Sequence, residues 1–134
     1  MKMLKVVSTM LILLVIYILF SGEGITVSGS YRNVSPTQAR KMIDRYQDLV
    51  VVDISGTYHM GHIPGSVNYY IGDGSLQEAL PELDKNARYL IYYHNNATSK
   101  KAAEMFTSSG FRKVYRLEGN FSSWVEAGYE TASL

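Results

Sequence analysis

Two short apolar runs constrain this chain more than any other feature: LVVVDI at residues 49–54 and YLIYY at residues 89–93. Neither shows the polar alternation of a half-exposed strand. Both are short and rich in β-branched or aromatic residues, which predicts strands buried on two faces, the condition of a parallel sheet. VNYYI at residues 67–71 and VYRL at residues 114–117 read as further strands. The segments between them have helical character. In VSPTQARKMIDRYQ, residues 34–47, Ser35 is an N-cap, Pro36 takes the first helical position and Gln38 completes a capping box. Ala39, Met42, Ile43 and Tyr46 then recur at helical spacing. Residues 76–83 form a short helix interrupted by Pro81. Residues 99–109 form an amphipathic helix with Ala102, Ala103 and Phe106 inward, Ser99 as cap and Gly110 as stop; residues 121–128 form a last helix around Trp124. Strands alternating with helices across short loops give an α/β domain with a central, mostly parallel sheet. In such sheets ligands bind beyond the carboxyl ends of the strands. The loops after Asp53 and Tyr93 occupy that position.

The amino-terminal segment has a different character. Lys2 and Lys5 precede an uncharged apolar run, residues 6–20, followed by SGEG. A positive start, an apolar middle and a small-residue exit are the layout of a secretory signal. The run is about 15 residues, against roughly 20 for a comfortable membrane span. Residues 3–20 nearly suffice if Lys5 extends to the interface. A cleaved signal and a retained hydrophobic anchor helix both remain open, with the anchor favoured because no A-x-A box stands at the exit. Either one sends the rest of the chain out of the cytoplasm, as a membrane-anchored extracytoplasmic domain or a secreted one. The resulting division is residues 1–24 as signal or anchor, 25–31 as a Ser/Gly-rich linker and 32–134 as one domain.

Composition narrows the chemistry. Thirteen Lys and Arg against twelve Asp and Glu, with no basic block, argue against a nucleic-acid partner that depends on phosphate electrostatics. The sequence contains no Cys, which removes disulfides, thiolate metal sites and thiol nucleophiles. Nothing in the pattern calls for a cofactor. His59, His62 and His94 are candidate zinc ligands by residue type. His59 and His62 lie in an irregular loop, however, and no metal site is assigned.

Four stretches in order resemble the rhodanese-like family. GHIPGSVN, residues 61–68, is similar to that family's GHIPGA-x-N signature. VVDI at 51–54 resembles its buried strand ending in Asp. YYHNNATSKKAA at 92–103 resembles its YC-x-x-G-x-R-S-x-x-AA segment, and GFRKVYRLEGNFSSW at 110–124 its GF-x-x-V-x-x-L-x-GG-x-x-x-W ending. The resemblance covers about the last hundred residues. It implies a three-layer sandwich, helices on both faces of the sheet, and descent from sulfurtransferases that carry sulfane sulfur as a persulfide on one Cys. It also places that Cys at Tyr93, the loop Gly at Asn96 and the loop Arg at Thr98, so the active-site cradle becomes Tyr93, His94, Asn95, Asn96, Ala97, Thr98 and Ser99. Asp53 and His62 become loop-bracing residues. Asn96 is expected to preserve the loop's curvature through its tolerance of left-handed backbone, and Asn120 replaces the second Gly of the GG pair.

The departures set the functional expectation. A phenol with a reference pKa near ~10 forms no persulfide. Thr98 removes a cation that holds anionic substrates. The chain therefore reads as a sulfurtransferase homologue without its nucleophile, a non-catalytic binding or sensory module. Its recognition loop is 93–99, facing a protein partner or a small anion collected by helix N-terminal amides, with Lys100 and Lys101 nearby. The alternative is an enzyme using another nucleophile at the same loop, such as Ser99 paired with His94, or a thiol supplied by a partner chain. Three N-x-[ST] triplets, at Asn33, Asn96 and Asn120, fit the glycosylation pattern.

Overall fold

Residues 30–134 are described in a computed structural model; the apolar run 6–20 and nearly all of the linker lie outside the described residues. The chain runs β1 (Arg32–Val34), α1 (Pro36–Arg45), β2 (Leu49–Asp53), a 3-10 turn (Tyr58–Met60), β3 (Val67–Asn68), a second 3-10 turn (Ile71–Asp73) and α2 (Ser75–Ala79). A third 3-10 turn (Leu80–Glu82) follows, then β4 (Arg88–Tyr92), α3 (Asn96–Ser108), β5 (Lys113–Leu117) and α4 (Asn120–Glu126). The strands form one five-stranded sheet in the order β1-β5-β4-β2-β3, and every pairing is parallel. None of the helices among the described residues is long and apolar enough to cross a membrane.

The capping box predicted at α1 is present. Ser35 Oγ accepts from the Gln38 amide at 3.2 Å and Gln38 Oε1 accepts from the Ser35 amide at 2.9 Å. Strand alternation then divides the core into two. Tyr89 and Ile91 of β4 join Val52, Ile54, Leu76, Ala102, Ala103 and Phe106 on the face covered by α2 and α3. Leu90 and Tyr92 join Val51, Ile63, Ala39 and Trp124 on the opposite face, under α1 and α4. The double burial read from the apolar runs is the double burial observed.

Four differences from the sequence reading exceed two residues. β1 was not anticipated, because three residues with a polar centre, RNV, carry no periodicity; pairing with β5 creates the strand. β3 stops at Asn68 instead of reaching residue 71. The Tyr69 and Ile71 amides still donate to Asp53 and Ile54 carbonyls, at 3.0 and 3.1 Å, but the chain is already turning into the 3-10 turn. α2 ends at Ala79 and Pro81 lies in the 3-10 turn that follows. α3 begins at Asn96, not Ser99, because Asn95 is its cap.

After α4 the chain returns across the GHIPG loop. The His62 and Ala132 amides and carbonyls exchange two hydrogen bonds, both 2.9 Å, and the Leu134 amide donates to the His59 carbonyl at 3.1 Å. The Trp124 indole N–H, buried beneath, donates to the Glu130 carbonyl at 2.8 Å.

Candidate functional site

β2 and β4 are neighbours, yet β2 continues to β3 on one side and β4 to β5 on the other. This is the switch point of the sheet, where a crevice opens beyond the carboxyl ends of the strands. The loops after Asp53 and after Tyr92 form its walls.

The wall after β4 is held by side-chain amides. Asn95 adopts extended backbone and its Oδ1 accepts from the Thr98 amide at 2.9 Å, capping α3. Tyr93 donates its amide to Asn120 Oδ1 at 3.2 Å, and its carbonyl accepts from the Phe121 amide at 3.0 Å. Asn120 Nδ2 donates to Asn96 Oδ1 at 3.0 Å. Asn120 is the sole non-glycine residue with positive φ among the described residues, at 57°. The left-handed backbone expected at Asn96 therefore falls at Asn120, and Asn96 is helical. Gly119 before it needs both its φ of 73° and its lack of a side chain, because an added Cβ would stand 2.6 Å from Ser123 Cβ.

Beneath the loop lies a residue that sequence reasoning passed over. Arg116, on β5, is 3% exposed. Its Nε donates to Asn33 Oδ1 at 2.8 Å, and its Nη1 to Asn96 Oδ1 at 3.0 Å and Ser99 Oγ at 3.1 Å. All three acceptors are neutral, and neither ion pair among the described residues involves Arg116. A single Arg inside the apolar run VYRL was the available signal. Ser99 is fully buried, with its hydroxyl directed at the Asn96 carbonyl, 3.3 Å away. The Ser99–His94 pair offered as an alternative does not form. His94 Nε2 lies 2.9 Å from Thr57 Oγ1 instead, joining the two walls. Thr57 was not singled out, since its loop carries no helical or strand period.

Thr57, Met60, Gly61, His94 and Phe121 line a groove of about 370 Å3 at the crevice mouth. The His94 ring meets Phe121 edge-on at 5.9 Å, and Tyr93 lies 5.4 Å from His94. The Tyr93 ring is half-buried against the core face of Tyr89 and Ile91. Ala97 and Asn96 are exposed, and Thr98 is partly covered.

Asp53 and His62 lie in the opposite wall. Asp53 is fully buried; Oδ1 accepts from the Ser55 amide at 2.7 Å, closing a tight turn, while Oδ2 has no partner among the described residues. His62 Nδ1 lies 2.7 Å from the Tyr58 carbonyl and its ring stacks on Tyr58 at 3.6 Å. The Tyr92 hydroxyl accepts from the Ile63 amide at 3.0 Å. Burial, and then the charge of Asp53, push the Tyr92 phenol far above its ordinary pKa. No group of three or more His, Asp or Glu suited to a metal ion occurs among the described residues.

The model of the rhodanese-like domain matches residues 35–127. The chain belongs to the rhodanese-like family. Among its relatives, the thiosulfate sulfurtransferase GlpE of Pseudomonas fluorescens is 32% identical over 96 residues, 70% of this chain and 84% of that protein. GlpE of Pseudomonas paraeruginosa is 29% identical over 73% of this chain and 87% of its own. The solved rhodanese-like domain of the Alr3790 protein from Anabaena sp. superposes with a TM-score of 0.69 at 21% identity, covering 78% of this chain and 81% of that one. This rhodanese-like domain nonetheless has no cysteine.

Proposed function

We propose that this rhodanese-like domain is a non-catalytic recognition module whose binding surface is the loop 93–99 with the adjoining groove. The observation that carries the proposal is a crevice at the sheet's switch point in a family member without cysteine. A persulfide needs a thiolate, and no residue here supplies one. The groove beside His94 and Phe121 offers an apolar floor next to the amide-rich start of α3, a combination suited to a protein segment or a small anion. The chain is held at, or exported across, a membrane by residues 3–20, which presents the module outside the cytoplasm.

A thiosulfate-to-cyanide assay tests the core of this reading. No turnover is expected, and turnover that disappears in Tyr93→Phe would overturn it. Tyr93→Cys alone should restore little, since Thr98 still stands where the family has Arg. Cell fractionation tests the placement: recovery of the chain from the cytoplasm would refute it.

One contact favours a second reading, an enzyme with a different nucleophile. Thr57 Oγ1 and His94 Nε2 are at hydroxyl–imidazole transfer distance, 2.9 Å. Hydrolysis of an activated ester that is abolished by Thr57→Val would favour it over the non-catalytic one; hydrolysis unchanged in that variant would eliminate it.

A further inference from the structure

Because every strand pairing is parallel, the sheet has two unlike ends. The crevice lies at one. The other, the base, collects the strand starts Arg32, Leu49, Arg88 and Lys113 and the carboxyl ends of α1 and α3. Register places Arg88 beside Lys113. Arg45 and Arg88 both stand over the half-buried Tyr46 ring, at 5.5 and 4.1 Å, and the Lys85 side chain reaches the turn at Gly110 that closes α3. Six cations gather there: Arg32, Arg45, Lys85, Arg88, Arg112 and Lys113. The acids beside them are Asp48, Glu82 and Asp84. Asp48 is held by Arg88 at 2.6 Å, and the other five cations, all exposed, enter no ion pair among the described residues. One turn further in, Lys41 offsets Glu104, and Arg40 is bound to Asp44. The crevice end has no such excess, since the exposed Asp73 and Glu118 offset Lys100 and Lys101. With a formal net charge of only +1, the cations are sorted to the base, not merely abundant. A helix dipole accounts for Arg45 alone, at the last turn of α1; Arg32 and Lys113 are strand residues, and Lys85 and Arg112 lie in loops.

We infer that this base docks on a bilayer surface bearing anionic phospholipid headgroups. The inference rests on the membrane placement proposed for residues 3–20 and adds an orientation, with the base toward the lipid and the crevice away from it. The chain enters the sheet at Arg32, on the base itself, and the eleven residues 21–31 separate that point from the apolar run. Such a length reaches at most about 40 Å and, as a Ser/Gly-rich coil, averages about 18 Å. Docking is then intramolecular, at an effective concentration of order millimolar, so a modest excess of charge suffices. Each Lys or Arg near an anionic surface strengthens the attraction about fivefold. Tyr46, set among the cations, is of the residue type that lies at headgroup depth.

The experiment labels the lysines of the full chain in vesicles with a water-soluble amine reagent. Vesicles of phosphatidylcholine alone are compared with vesicles that also contain phosphatidylglycerol. Lys85 and Lys113 should react several-fold more slowly in the anionic vesicles, Lys100 and Lys101 should react equally in both, and added salt should abolish the difference. Arg32→Gln combined with Arg112→Gln should return Lys85 and Lys113 to the phosphatidylcholine rate, with the unchanged crevice lysines reporting an intact fold. Equal rates at the base in the two vesicle types overturn the inference, as does a slowing shared by all four lysines. A chain that fails to enter phosphatidylcholine vesicles refutes the anchor separately. The base is then read by co-sedimentation with the anionic vesicles, where salt-sensitive binding weakened in the double variant sustains the inference and no binding overturns it.

Discussion

Asn120 carries two burdens, a left-handed backbone and two side-chain hydrogen bonds, and substitution separates them. Asn120→Gly keeps the conformation and loses the bonds to Tyr93 and Asn96. It should cost about 1–2 kcal/mol in chemical denaturation, since Tyr93 N–H is left without its acceptor. Asn120→Ala loses both and should cost about 1 kcal/mol more than the glycine variant; equal losses would show that the backbone is unstrained. Tyr92 supports a pH prediction. Its folded-state pKa is raised, chiefly by burial, so the folded state keeps the phenolic proton after the unfolded chain has released it. Stability is therefore unaffected below about pH 10 and falls above it, by up to about 1.4 kcal/mol per pH unit. Tyr92→Phe should flatten this alkaline limb while lowering stability near neutrality, because the Ile63 amide loses its acceptor. An unchanged limb in urea titrations from pH 9 to 11 would exclude Tyr92 as its source.

The elements that define the site differ in how openly the sequence announced them. β2, β4 and α1 were legible because their signals are local: an apolar run for the strands, a capping box for the helix. The start of α3 was misjudged by three residues because Asn95 and Ser99 are both plausible caps. The choice is made by Arg116, which draws Ser99 inward and leaves Asn95 to accept from Thr98. β1 and the Thr57–His94 bridge were illegible for the same reason, since both depend on partners distant in sequence. The crevice itself could be placed, since alternating strands and helices imply a switch point, but the amide network inside it could not. Asn95→Ala tests the cap. It should destabilise the domain by about 1 kcal/mol and accelerate hydrogen exchange at Thr98 more than at Ala102, whereas uniform acceleration along α3 would mean that the cap is not a local feature.

Across the whole molecule, the last residues close the site's outer wall. The paired strands of the sheet hold β2 and β4 in place, but the GHIPG loop leans on the returning chain through His62, Ala132, His59 and Leu134. Removing residues 131–134 should leave the sheet folded, with a small loss in melting temperature, and raise hydrogen exchange at His62. Protection there equal to that of the intact domain would show the loop to be self-supporting.

That same strap has a mechanical consequence. Any polypeptide fused beyond Leu134 begins one residue pair from His59, so tension or bulk applied there is delivered straight to the rim of the groove. A bulky carboxy-terminal fusion should therefore perturb ligand capture at the crevice, while the same cargo hung from a flexible spacer should not.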